Sequence, residues 1–164
     1  MVKLPYEVTR QSFSSYTTSG YTGIILVEPK TPENVGSVFR LVYNFSVGFV
    51  EIVKPHCSIQ KIKKISTDVL KAHRHVPVFI LDEILLPVAS HPVLIEVSTK
   101  AASLISFAHP RSAVYIFGPE NGTLLIKGVP IVSIPVNGCL NLAQTVAVVL
   151  WDRYLKTNVN RQEV

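Results

Sequence analysis

Apolar and polar positions fall into blocks along the chain. Ile24-Ile25-Leu26-Val27 is short, continuous and rich in branched residues, so Ile24 to Glu28 reads as a buried strand. Val35, Val38, Phe39 and Val42 then recur at helical spacing, which predicts a helix from about Pro32 to Phe45. Thr31 offers its N-cap, and Pro32 suits the first helical position. Val47 to Val53 predicts a second strand ended by Pro55, and the lysine-bearing Gln60 to Lys71 carries a weaker helical pattern. Strand-length runs follow at Val76–Leu81, Val93–Val97, Ala113–Phe117 and Ile131–Ile134, with helix-like stretches between several of them. The alternation predicts an α/β fold, a mostly parallel sheet flanked by helices, whose ligands bind beyond the carboxyl ends of the strands.

The last predicted helix, about Leu140 to Lys156, is apolar on two sides. Leu142, Val146, Val149 and Leu150 form one stripe, and Ala147, Val148, Trp151 and Leu155 another. Two stripes need two packing partners. The second partner is expected to be another copy of the chain, giving a homodimer, with a helix sandwiched inside one subunit as the alternative. Ahead of the first strand, residues 1–22 read as a polar arm, and 23–164 as a single domain.

Composition narrows the class. With 48% hydrophobic and 16% charged residues in 164, the chain suits one folded core and neither a disordered segment nor a solvated coiled coil. A formal charge of +5 favours polyanionic partners such as nucleic acid. Lys61, Lys63, Lys64, Lys71, His73 and Arg74 suggest a phosphate-facing surface, or else a solvated helix face. Lys3 and Arg10 in the arm could extend it, while Tyr6, Phe13, Tyr16 and Tyr21 could stack on bases or pack on the domain. His73 and His75 straddle Arg74, but further metal ligands are not identifiable, so no metal is expected. Cys57 and Cys139 lack Cys-x-x-Cys spacing, and no bilayer-spanning run or signal peptide is evident, which favours a cytoplasmic location.

Three segments carry polar residues that a core does not demand. In Pro32-Glu33-Asn34-Val35-Gly36-Ser37-Val38-Phe39-Arg40, Gly36 costs about 1 kcal/mol relative to Ala in a helix, suggesting close approach by another group, and Arg40 is placed to reach an anion. Phe117-Gly118-Pro119-Glu120-Asn121-Gly122 follows a strand; Gly118 admits close approach to the backbone and Glu120 can accept hydrogen bonds. Ile134 to Gln144 is a permissive loop feeding the last helix, with Asn141 as a possible N-cap. Neither the dinucleotide G-x-G-x-x-G nor the phosphate-loop G-x-x-x-x-G-K-[ST] pattern is present, which argues against NAD and ATP.

In this order and spacing the three segments resemble the N-x-G-x-x-x-R, F-G-x-E and I-P-…-S-[LM]-N-[LV]-S motifs of the SpoU/TrmH branch of the SPOUT superfamily, over about Ile24 to Tyr154. Leu26 to Arg40 and Ser98-Thr99-Lys100 further resemble the small single-domain tRNA wobble-nucleotide 2′-O-methyltransferases. The resemblance implies a deep C-terminal trefoil knot, an obligate dimer, and methyl transfer from S-adenosylmethionine to a ribose 2′-hydroxyl of RNA, with tRNA favoured. An rRNA target, or a weakly active or inactive RNA-binding or assembly protein, is the alternative. It implies donor contacts at Val97, Thr99, Gly118, Glu120, Ile134, Val136, Cys139 and Leu142. Arg40 is implied as catalytic residue, with Asn34 and Asn141 orienting it and the ribose, and Glu120 holding loop backbone or pairing with Arg40 of either subunit. Cys139 and Ala143 stand where the family usually has serines.

Overall fold

The computed structural model describes residues 20–58, 60–61 and 74–158. Its strands are β1 (Thr22–Val27), β2 (Phe49–Val53), β3 (Val78–Leu81), β4 (His91–Ile95), β5 (Ala102–Ser103), β6 (Ala113–Phe117) and β7 (Ile131–Ser133); helix α1 spans Pro32–Asn44 and α2 Leu142–Asn158. All strand pairings are parallel, in the order β3-β2-β1-β6-β4-β7-β5. The chain builds β1, β2 and β3 outward in one direction, then crosses to β4. It later inserts β6 between β1 and β4, and β7 between β4 and β5.

The parallel register brings Leu26, Phe117, Ile95 and Val132 into line across β1, β6, β4 and β7. Their following loops therefore share one edge of the sheet, beside the point where strand order reverses. Glu28, at φ 50°, turns the chain out of β1 in a left-handed conformation uncommon for a residue with a side chain.

Both helices pack on one face of the sheet. Val35, Val38, Phe39 and Val42 of α1 and Leu142, Val146, Val149 and Leu150 of α2 join Ile24, Leu26, Val93, Tyr115 and Phe117 in the larger core. The predicted stripes of both helices are the buried ones. The opposite face buries Ile25, Val27, Val53, Leu94, Val114 and Ile116 beneath Leu124, Ile126 and Val129. Tyr21 packs there too, its ring 6.1 Å from that of Phe49, so of the two roles open to it, packing is the one seen.

The expected helices between later strands are absent among the described residues. Pro87 interrupts the link from β3 to β4, and Pro119, Gly122, Gly128 and Pro130 punctuate that from β6 to β7. Between β4 and β6 only the short β5 and one 3-10 turn, Leu104–Ser106, form. The link from β6 to β7 carries too many residues lacking either an N–H or a β-carbon to sustain a helix, and Pro87 breaks the shorter one from β3 to β4. Of the predicted helix Gln60 to Lys71, only Gln60 and Lys61 lie within the described residues. The arm up to residue 19, with Lys3, Tyr6, Arg10, Phe13 and Tyr16, lies outside them.

The far half of α2 is fastened by a polar cluster. His109, its side chain fully buried, places Nδ1 2.5 Å from the Tyr115 hydroxyl and Nε2 2.7 Å from Asp152. Arg153 donates to the carbonyls of Pro110 and Arg111 and to the Tyr115 hydroxyl, while Lys156 donates to the carbonyls of Leu104 and Phe107 and to Asp152. Burial holds the His109 imidazole below its ordinary pKa despite Asp152 beside it. A neutral ring that donates from Nε2 and accepts at Nδ1 fits both partners.

Candidate active site

The loops at the carboxyl edge converge on the first turn of α1. Glu120, three residues beyond β6 and two beyond Gly118, directs its carboxylate at that turn. Oε1 accepts from the amides of Thr31 (3.2 Å) and Lys30 (3.4 Å), and Oε2 from the Thr31 hydroxyl (2.8 Å). Burial would raise this carboxyl; the hydrogen bonds from Thr31, Asn34 and Lys30 outweigh it and hold its pKa below the usual value. Thr31 occupies the N-cap position as expected, yet its side chain caps nothing. Its hydroxyl is diverted to Glu120, and the carboxylate supplies the negative charge that a helix N-terminus favours.

Asn141 does two things at once. Its Oδ1 accepts from the Gln144 amide (2.8 Å) while Gln144 Oε1 accepts from the Asn141 amide (3.3 Å), a reciprocal capping box at the start of α2. Its Nδ2 donates to Asn34 Oδ1 (3.3 Å). Asn34 also helps to lower the Glu120 pKa, so a polar relay gathers Asn141, Asn34, Glu120 and Thr31. The three segments that stood out in the sequence are thus joined by side chains up to 107 residues apart.

Arg40 lies outside this relay. It is exposed on α1, about 9 Å along the helix axis from Asn34 at 1.5 Å per residue. Glu120 is occupied by α1's first turn, so within the subunit it takes the loop-holding alternative and not the pairing with Arg40. Among the described residues the Arg40 side chain has no hydrogen-bond or ion-pair partner. Gly36 is buried on the core side of α1.

The residues expected to hold a donor divide by position. Val97 is 67% exposed and Val136 47%, apolar side chains left open on the loops after β4 and β7. Thr99 and Cys139 are exposed, and Gly118 and Ile134 half-buried. The side chain of Leu142 lies in the core with Val146, so only its backbone faces the loop. Gly118 is needed for a reason the sequence did not reveal. A Cβ there would sit 3.0 Å from Glu96 Oε2 and 3.2 Å from Leu124 Cβ, so side chains of this protein themselves approach it closely. Glu96 was missed; its signal was an acid placed directly after the buried run Val93-Leu94-Ile95.

Of the expected RNA-facing residues, Lys61 and Arg74 are exposed, whereas Lys63, Lys64, Lys71 and His73 lie outside the described residues. His75 sets its ring 5.6 Å from Tyr43 of α1. Among the described residues no helix is long and apolar enough to cross a membrane.

These features define an α/β protein with a composite loop site beside the strand-order reversal of a parallel sheet. The chain belongs to the SpoU rRNA methylase family, whose sequence profile matches residues 22–151. Among solved structures it is similar to one described as giving insights into the 2-OH methylation of C/U34 on tRNA, with a TM-score of 0.71 and 23% identity over 86% of this chain and 99% of that one. It is also similar to an AdoMet-bound rRNA methyltransferase from Sinorhizobium meliloti (TM-score 0.68, 14% identity, 85% of this chain and 57% of that one). A third is the SpoU methyltransferase AviRb from Streptomyces viridochromogenes in complex with AdoMet (TM-score 0.69, 14% identity, 96% and 64%). The chain thus spans about 60% of the length of the latter two, and at these identities the likeness establishes the fold. A comparison with curated proteins finds no match.

Proposed function

We propose that this protein transfers a methyl group from S-adenosylmethionine to a ribose 2′-hydroxyl of RNA, with tRNA as the substrate. The observation that carries the reading is the relay Asn141–Asn34–Glu120–Thr31, which gathers all three motif segments at the carboxyl edge with Arg40 exposed on the same helix. The tRNA preference is supported by the 2-OH methylation structure, which alone of the three compared is itself covered almost completely, at 99% against 57% and 64%.

The residues present fit an adenosyl donor. Apolar side chains left open at Val97 and Val136 suit a purine, and the loop backbone from Pro135 to Cys139 supplies polar atoms for its edges. When bound, the donor supplies an electrophilic methyl on a sulfonium. Val97, Thr99, Gly118, Ile134, Val136, Cys139 and the Leu142 backbone would hold it. Everything else falls to α1. Its first turn is anchored by Glu120 and Asn141, so Arg40 is carried on a rigid element, which a site that works by alignment requires. A guanidinium with a pKa above about 12 is a poor base, so Arg40 acts by gripping the target phosphate and stabilising oxyanion charge as the 2′-oxygen attacks, the hydroxyl proton passing to solvent water.

The insertion of β6 and β7 between earlier strands supports the trefoil knot implied by the family resemblance. A homodimer is supported by α2: with its first stripe buried, Val148, Trp151, Tyr154 and Leu155 remain exposed on the second.

The test is labelled methyl transfer to separated tRNA and rRNA, with nuclease mapping of the product. Ribose-methylated tRNA is expected, and Arg40→Ala is expected to lower the rate at least about 100-fold while S-adenosylmethionine affinity stays within a few fold. Label on a base atom, or normal transfer by Arg40→Ala, overturns the mechanism. Donor binding without transfer to any RNA would favour a non-catalytic RNA-binding role, the reading that Cys139 and Ala143 in place of serines support.

A further inference from the structure

Glu96 is the first residue beyond β4, a place where an acidic side chain ordinarily turns to water. Here both carboxylate oxygens hold backbone. Oε1 accepts from the Val97 amide (3.0 Å), and Oε2 from the Leu124 amide in the link between β6 and β7 (3.3 Å). The Glu96 amide itself donates to the Val132 carbonyl of β7 (3.1 Å). Gly118, directly after β6, leaves just the room that Oε2 fills. The loop after β4, the loop after β6 and the strand β7 therefore meet on one residue. Of the expected donor contacts, Val97 is itself an attachment point, Ile134 lies two residues beyond Val132, and Gly118 lies against Glu96 Oε2.

We infer that Glu96 is a positioning residue for the donor pocket, clamping the Val97 loop and the Gly118–Leu124 loop at a fixed separation before S-adenosylmethionine enters. The inference rests on the donor reading above. Its physical basis is preorganisation: loops with exposed backbone lose conformational freedom when a ligand orders them, and a clamp already made removes that cost from binding. Glu96→Gln preserves the size of the side chain but turns one acceptor into an NH2 group that faces a backbone N–H, so one of the two attachments must break.

The experiment is calorimetric titration of S-adenosylmethionine and, separately, tRNA into the full chain and its Glu96→Gln, Glu96→Ala, Gly118→Ala and Glu96→Ala/Gly118→Ala variants, with thermal melting of each unliganded protein. S-adenosylmethionine affinity is expected to fall at least fivefold in Glu96→Gln and tenfold in Glu96→Ala, with tRNA affinity within twofold of wild type. Gly118→Ala should weaken the donor as Glu96→Ala does, and the double variant should be no worse than either single one, because the new methyl occupies space the carboxylate has left. Unchanged donor affinity in Glu96→Gln overturns the inference. Equal losses of donor and tRNA binding together with a lowered melting temperature also overturn it, since they describe a residue that merely holds the fold. Wild-type protein that does not bind S-adenosylmethionine overturns both this inference and the donor reading, whereas binding that is indifferent to Glu96 overturns this inference alone.

Discussion

Glu120 illustrates how one side chain can decide the geometry of a helix that it does not belong to. Its carboxylate takes two amides and a hydroxyl at the start of α1, leaving Thr31 without the cap role its residue type suggests. Removing it exposes those donors to a partly buried site, at about 1 to 3 kcal/mol. Urea denaturation of Glu120→Ala is expected to show a loss in that range. Thr31→Val should add little in the Glu120→Ala background, because both substitutions break the same bond; fully additive losses would disprove the coupling. The lowered pKa fixes the sign of the acid response. This contribution is complete above the ordinary carboxyl value near 4.5 and fades as pH falls through the lower folded value.

Helix α2 combines three separate tasks: its N-terminus closes the relay through Asn141, its buried stripe fills the core, and its outer stripe presents Val148, Trp151, Tyr154 and Leu155 to solvent. Trp151 is 52% exposed with its ring stacked on that of Tyr154. If this face joins two copies, Trp151→Asp is expected to yield a monomer by light scattering with α2's helicity retained. A variant that stays dimeric would locate the interface elsewhere. Much of this was legible because helical periodicity is local: Val35, Val38, Phe39 and Val42, like Leu142, Val146, Val149 and Leu150, declare their buried side by spacing alone. Asn141 was readable as a cap for the same reason. Glu120's choice between loop backbone and Arg40 was not, since its partners lie 89 and 90 residues away in sequence. Nor was Glu96, because an acid after a strand looks like surface until Leu124 is known to fold over it. β5, two residues long, is below the length at which alternation can be recognised.

Across the whole molecule, two buried titratable groups set opposing responses to pH. Glu51 of β2 is 4% exposed, and burial raises its carboxyl to about 7 despite a hydrogen bond from the Leu85 amide. The folded protein therefore holds this proton more tightly than the unfolded chain, so its contribution is complete below about pH 4.5 and is lost as pH rises to 7. His109 has the opposite sign. Its folded pKa lies below the ordinary 6.5, so its contribution is complete above 6.5 and is lost as pH falls. Glu51→Gln removes one slope and leaves the other. Relative to this variant, wild type is expected to lose stability on the order of 3 kcal/mol between pH 4.5 and 8. Chemical denaturation across that range checks it, and a constant difference would show that Glu51 is not protonated in the folded state at mid-range pH.

The late arrival of β6 and β7 has a consequence for how the protein is made. A chain emerging from the ribosome presents β1 to β4 first, with a gap between β1 and β4 that cannot close until β6 has been synthesised. Asn34 waits 107 residues for Asn141. Nascent intermediates thus expose unpaired strand edges, and the first turn of α1 gains its last polar partner only when the start of α2 has been made.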